Sequence, residues 1–143
     1  MQERNLTIYF TSDLHSYIYP TDYRSQEEKD LGLFKCASQF QKDGNTLIID
    51  GGDLLQGSPL GAFCHDTVGS AAQFAQIMNR CGYDYVTLGN HDFNYGMPYL
   101  DSYLDALRAR CVCENVRWAG GGVRFPAHVH VLENGLRIGI VGR

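Results

Sequence analysis

Three short polar segments, each closing an apolar run, constrain the fold of this chain more than anything else in it: Thr11-Ser12-Asp13-Leu14-His15, Gly51-Gly52-Asp53 and Gly89-Asn90-His91-Asp92. His15, Asp53 and Asn90 are spaced 38 and 37 residues apart, about the length of one βαβ repeat. The runs before them, Leu6 to Phe10, Thr46 to Asp50 and Tyr83 to Leu88, are rich in β-forming residues, as strands are. Strands in that rhythm predict an α/β layered fold, which binds its ligands beyond the carboxyl ends of the strands. All three segments fall there.

The stretches between them read as helices and turns. Gln26 to Lys42 carries Leu33, Phe34, Ala37 and Phe40 on one stripe and predicts a first helix. Gly51 to Asp66 reads as a long loop, after which Asp66 or Thr67 caps a second helix with Val68, Ala71, Ala72, Ala75 and Met78 on its apolar face. Pro98 marks the first turn of a third helix running to about Arg110. Cys111 to Val116 is a fourth strand, and His128 to Leu132 with Leu136 to Val141 form a hairpin about Asn134-Gly135.

Charge and cysteine usage exclude several classes of partner. The net charge is −4 and no basic run exists, which argues against binding a nucleic-acid polymer. An acidic chain binds a phosphate ester when divalent cations reverse the local field. Five unevenly spaced cysteines make a poor disulfide framework and read as reduced structural residues. No run is long and apolar enough to span a membrane. The segment Met1-Gln2-Glu3-Arg4-Asn5 leads into the first strand without a signal-peptide core. The chain as written is therefore expected in the cytoplasm, or in the periplasm or at the cell surface if a signal peptide has been removed.

The residue types carry the chemistry. Asp13 and His15 stand two apart at a strand end, so their side chains share a face. A carboxylate beside an imidazole suits zinc, manganese or iron. Asp53 follows the most apolar strand and is placed to bridge two metals, one through each oxygen, with Gly51 and Gly52 permitting close backbone approach. Asn90 offers an amide oxygen, and His91 a general acid or a group that stabilises developing charge. Ligands delivered from successive strand ends build a two-metal site. The turn after the first strand has no Gly-x-Gly-x-x-Gly pattern, which argues against a Rossmann-like dinucleotide domain.

Asp13-Leu14-His15, Gly52-Asp53 and Gly89-Asn90-His91-Asp92 together resemble the first three signature blocks of the calcineurin-like metallophosphoesterase superfamily. The likeness covers essentially the whole chain. Leu132 to Gly142 is similar to the fifth-strand region of the 5′-nucleotidase branch. Within that branch, Gly52 to Gly61 and Gly89 to Gly96 look like the 2′,3′-cyclic-nucleotide 2′-phosphodiesterase/3′-nucleotidase subgroup. Strict 5′-nucleotidases carry an Asp where Asn94 stands.

The resemblance implies a layered metallophosphoesterase sandwich of βαβαβ units with a mixed sheet. It implies two divalent ions (Mn, Zn, Fe or Co), the first served by Asp13, His15 and Asp53 and the second by Asp53 and Asn90. The implied reaction is in-line hydrolysis of a nucleotide or other small phosphoester, with His91 facing the leaving group and Asn94 orienting it. The superfamily completes its site with later histidines, including a Gly-His-x-His block. None of the five histidines here fits that block: His128-Val129-His130 follows Ala127, and both it and His65 read as structural. The expectation is that residues 1–143 are the N-terminal portion of a larger catalytic domain, with a base-holding domain downstream, weak metal binding and little turnover. An exposed sheet edge near Ile138 to Val141 invites self-association. The competing readings are a non-catalytic metal-binding phosphatase-like module and a protein Ser/Thr phosphatase.

Overall fold

Four short strands, β1 (Thr7–Thr11), β2 (Thr46–Asp50), β3 (Tyr85–Val86) and β4 (Arg110–Cys111), make a parallel sheet in the order β1-β2-β3-β4. The computed structural model describes residues 3–25 and 27–143. Met1, Gln2 and the expected helix start at Gln26 lie outside the described residues. Each crossover moves one strand along in the same direction, and right-handed crossovers then lay the helices on one face. Side chains on β2 alternate accordingly. Ile48 packs with Leu33, Phe74, Met78 and Leu100 on the helical face. Leu47 and Ile49 face the other way, with Tyr85, Val112, Leu132 and Ile140.

Several elements differ from the sequence reading. The first helix spans only Leu33–Ala37 (α1). The N–H groups of Lys29, Leu33 and Phe34 donate to the carbonyls of Pro20, Tyr17 and Ile18, so the preceding loop takes the donors a longer helix would need. Within the expected long loop lies α2 (Pro59–Phe63), whose Ser58 cap accepts the Gly61 N–H and whose first residue is proline. A π-helical turn, Cys64–Val68, follows and ends at Gly69. Asp66 and Val68 belong to that turn, and α3 (Ala72–Cys81) begins beyond Ser70. α4 (Met97–Ala106) starts at Gly96-Met97-Pro98 as expected but stops at Leu107, short of Arg110.

The expected fourth strand divides at Val112. Arg110–Cys111 completes the parallel sheet, while β5 (Cys113–Arg117) pairs antiparallel with β6 (Val123–Phe125). The hairpin forms as expected from β7 (His128–Val131) and β8 (Arg137–Ile140). The antiparallel strands thus stand in two ribbons beside the parallel sheet. The β7–β8 ribbon covers part of the face opposite the helices. Ile8, Phe10 and Val141 on that side remain 51, 63 and 68% exposed, around a hollow of about 520 Å3. Among the described residues no helix is long and apolar enough to cross a membrane.

Candidate metal centre

The register of β1 on β2 sets Thr11 opposite Asp50, so the two chains leave the sheet side by side. Their loops then bond to each other. Asp13 N–H donates to the Gly52 carbonyl at 3.0 Å and His15 N–H to the Asp53 carbonyl at 2.9 Å. Asp13, His15 and Asp53 each offer a ligand atom, all within 4.8 Å of one another. His15 Nδ1 lies 2.8 Å from the Gln56 carbonyl, which can only accept. Nδ1 therefore carries the proton and Nε2 is left free to ligate. Asp13, His15 and Asp53 have φ of 55°, 47° and 57°, left-handed backbone that costs a non-glycine residue about 1–2 kcal/mol. Such strain gathers at functional sites. Two carboxylates and an imidazole, converging and partly open to solvent, fit a divalent first-row cation.

The third segment locks onto the second. Gly52 has φ 94°, and a methyl there would overlap the Gly89 amide; only glycine permits both. His91 N–H donates to Asp53 Oδ1 at 2.8 Å. The carboxylate of Asp92, 3% exposed, accepts four backbone N–H groups. Those of Asp53 and Gly89 reach Oδ2 at 2.9 and 3.0 Å, and those of Leu54 and Leu55 reach Oδ1 at 2.9 and 3.0 Å. Asn90 opens the 3-10 turn Asn90–Phe93 and is exposed, next to the residue that grips Asp53. The His91 ring stands 5.3 Å from the His15 ring, edge to face. Its Nδ1 is 2.9 Å from Asn94 Nδ2 and 3.1 Å from Gln56 Oε1.

Sequence reasoning singled out Asp13, His15, Asp53, Asn90, His91 and Asn94; the structure brings the first three together, ties His91 to Asp53 and Asn94 to His91, and leaves Asn90 exposed at the start of the 3-10 turn. It did not single out Gln56 or Asp92 as individual residues. Apart from the Gly89 N–H on Asp92, their contacts reach 35 to 41 residues along the chain.

Asp50 is a further buried carboxyl beneath the site, 1% exposed. Burial pushes it up to about 7, against the pull of the Thr11 hydroxyl and the Gly52 N–H. Burial also raises Asp92, in spite of its four backbone donors. An unfolded Asp ionises near 3.8. Between about 4 and about 7 the folded chain therefore binds the extra proton, and stability must fall as pH rises through that window. We expect the metal-free protein to lose on the order of 3–4 kcal/mol between pH 4 and pH 8, from a gap of roughly three pH units. Urea melts in chelator measure this, and Asp50→Asn should flatten most of the slope. Stability that is level or rises with pH in the wild type would contradict the assignment.

The remaining histidines sit elsewhere. His65 stacks on Tyr95 at 4.0 Å and pairs with Asp66. His130 Nδ1 meets Tyr85 Oη at 2.8 Å, with His128 beside the same ring. All five cysteines are free thiols.

Comparison with known proteins agrees with this geometry. Residues 6–137 match the model of the calcineurin-like phosphoesterase family. The trifunctional nucleotide phosphoesterase protein YfkN of Bacillus subtilis is 35% identical over 96% of this chain and 11% of its own length. A crystal structure of that protein superposes with a TM-score of 0.75, covering 94% of this chain and 46% of the other. A 2′,3′-cyclic-nucleotide 2′-phosphodiesterase/3′-nucleotidase of Yersinia enterocolitica is 34% identical over 78% of this chain and 18% of its own. A 5′-nucleotidase of Rattus norvegicus is 31% identical over 96% and 26%. The chain thus spans 11 to 26% of the length of these relatives.

Proposed function

We propose that this chain, which belongs to the calcineurin-like phosphoesterase family, contributes one wall of a two-cation centre that hydrolyses nucleotide phosphoesters. The observation that carries the reading is the convergence of Asp13, His15 and Asp53 within 4.8 Å on left-handed backbone. Those three would hold one cation, and Asp53 with Asn90 would hold a second. Bound cations would supply Lewis acidity and a water of lowered pKa.

The chain's own residues do the rest. Asp53, fixed by the His91 N–H and by Asp92 behind its backbone, keeps its carboxylate aimed at the opening. His91 faces the leaving oxygen and gives it a proton as the bond to phosphorus breaks. Asn94 and Gln56 hold the far side of that ring. In this reading residues 1–143 are the N-terminal portion of the catalytic domain, and further ligands complete the site, so these residues alone bind metal weakly and turn over slowly. The exposed Val141 after β8, which is paired on one side only, together with the exposed Ile8 and Phe10 and the open edge of β1, favours self-association of these residues on their own.

The relatives' names include both cyclic phosphodiesterases and 5′-nucleotidases. An amide at Asn94 orients His91 without a carboxylate's pull on its proton. That favours a 2′,3′-cyclic nucleotide, opened by water at the 2′ ester to leave the 3′-nucleotide, over a 5′-nucleotide. The test is to compare 2′,3′-cyclic AMP, 5′-AMP and a phosphopeptide as substrates of a protein carrying the complete site, with Mn2+. The cyclic nucleotide should be cleaved fastest, and His91→Ala should lower kcat/KM about 100-fold. Cleavage of the phosphopeptide alone would move the reading to a protein phosphatase. Metal binding with no turnover would move it to a non-catalytic module.

A further inference from the structure

Between the 3-10 turn Asn90–Phe93 and α4 stand Asn94, Tyr95 and Gly96. Asn94 is exposed and Gly96 has φ 84°; of the three only Tyr95 packs against the core. The Tyr95 ring lies flat on His65, with centroids 4.0 Å apart and planes 12° from parallel. Tyr99, buried on α4, meets both rings edge to face at 5.3 Å. His65 and Tyr99 thus make two sides of a slot that holds the Tyr95 ring.

His65 is itself held. Its Nδ1 lies 2.7 Å from a carboxylate oxygen of Asp66. It sits in the π-helical turn Cys64–Val68, where the Gly69 N–H donates to the Cys64 carbonyl at 2.9 Å. Turns of that type gather at functional sites. Gln56 precedes His65 in the same stretch of chain, with α2 between them. Beyond the Asp92 anchor, that stretch meets the one carrying His91, Asn94 and Tyr95 at two points. One is polar: Asn94 Nδ2 lies 2.5 Å from Gln56 Oε1 and 2.9 Å from His91 Nδ1. The other is the stack. An exposed amide exchanges its partners for water at little cost, so the polar contact alone leaves Asn94 loosely placed. The stack, one residue further on, pins it. The His65 side chain is partly open to solvent, so its removal tells on this geometry more than on the core.

We propose that His65 is a positioning residue: its stack on Tyr95 fixes Asn94 against Gln56 and His91, and so sets how His91 meets the substrate. The effect on the reaction rests on the reading of His91 as the group that serves the leaving oxygen; the placing of Asn94 does not.

The test reads two quantities. In the metal-free chain, the 1H–15N signals of the Asn94 side-chain amide report its contacts. His65→Ala should move them to the positions of a free, exposed amide. The backbone signals of Leu54 and Leu55, which Asp92 holds, should stay in place. In a protein carrying the complete site, with Mn2+ and whichever of 2′,3′-cyclic AMP and 5′-AMP it cleaves faster, His65→Ala should lower kcat about tenfold. KM and Mn2+ affinity should not change. Combined with Asn94→Ala it should cost nothing further, because one residue acts through the other. His65→Phe keeps a flat ring and should recover both readouts. Should His65→Ala not fold, His65→Gln, polar and without a ring, takes its place with the same losses expected. An Asn94 amide that does not move, or effects of the two alanine variants on kcat that multiply, overturns the proposal. A complete site that hydrolyses no phosphoester overturns the function reading instead, and the amide signals still decide what His65 does.

Discussion

Asp92→Ala is expected to cost about 4 kcal/mol of stability, a large share of what a domain of this size has. The side chain is buried, and its two oxygens accept the N–H groups of Gly89, Asp53, Leu54 and Leu55 at 2.9–3.0 Å. Alanine leaves four donors without partners, each worth roughly 1–3 kcal/mol when buried and unmade. Water entering the space and relief of a buried carboxyl offset part of that sum. The loss should be visible in urea melts as a fall in midpoint, together with loss of Mn2+ binding, because the same N–H of Asp53 anchors a ligand. Asp92→Asn keeps one accepting oxygen and turns an amide N–H toward the other two donors, so it should fall between wild type and alanine. A loss below about 1 kcal/mol for Asp92→Ala would show that these four bonds are not what holds the two loops together.

Gly89→Ala is expected to do the opposite: to spare the fold and remove the site. Its φ of −92° and ψ of 177° are open to any residue, so no backbone strain arises. A methyl there would overlap the Asp53 carboxylate and crowd the Asp53 amide. The carboxylate must rotate away, giving up the His91 N–H and its place beside Asp13 and His15. Mn2+ affinity should fall more than a hundredfold, above about 2.7 kcal/mol, while stability drops by less than about 2 kcal/mol. Calorimetric titration and urea melts on the same preparation separate the two quantities. Undiminished affinity would mean that the Asp53 carboxylate is not a ligand. Taken together, the two variants separate the scaffold of the centre from its chemistry.

These positions also show how much of the site is legible in the sequence. The apolar run Thr46 to Asp50 reads as a strand, and it is one, with four of its five residues buried. Asp13, His15 and Asp53 were legible because their chemistry is local: a donor at a strand end needs no distant partner to be noticed. The stripe Leu33, Phe34, Ala37 and Phe40 suggested a long helix, but periodicity does not report that carbonyls of residues 17–20 claim the N–H groups at its start. Ser58-Pro59 is a good helix-start signal, but it lies inside a stretch whose composition reads as a loop. The division at Val112 was hidden because Cys111 to Val116 is β-forming throughout, and what splits it is a change of partner from β3 to β6. Asp92 and Gln56 are not legible as separate actors for the same reason: most of what they do is done across 35 or more residues.

The left-handed backbone at Asp13, His15 and Asp53 has an evolutionary consequence. Glycine at any of these positions would relieve about 1–2 kcal/mol of conformational cost. Selection for heat resistance alone would therefore wear the site away, one ligand at a time, and reward the chain for each loss. Ser16 and Tyr23 share this backbone without offering a ligand, so at Asp13, His15 and Asp53 it is the donor group that an opposing selection would have to keep. The three angles thus record a bargain between durability and use, written in the main chain rather than in the side chains.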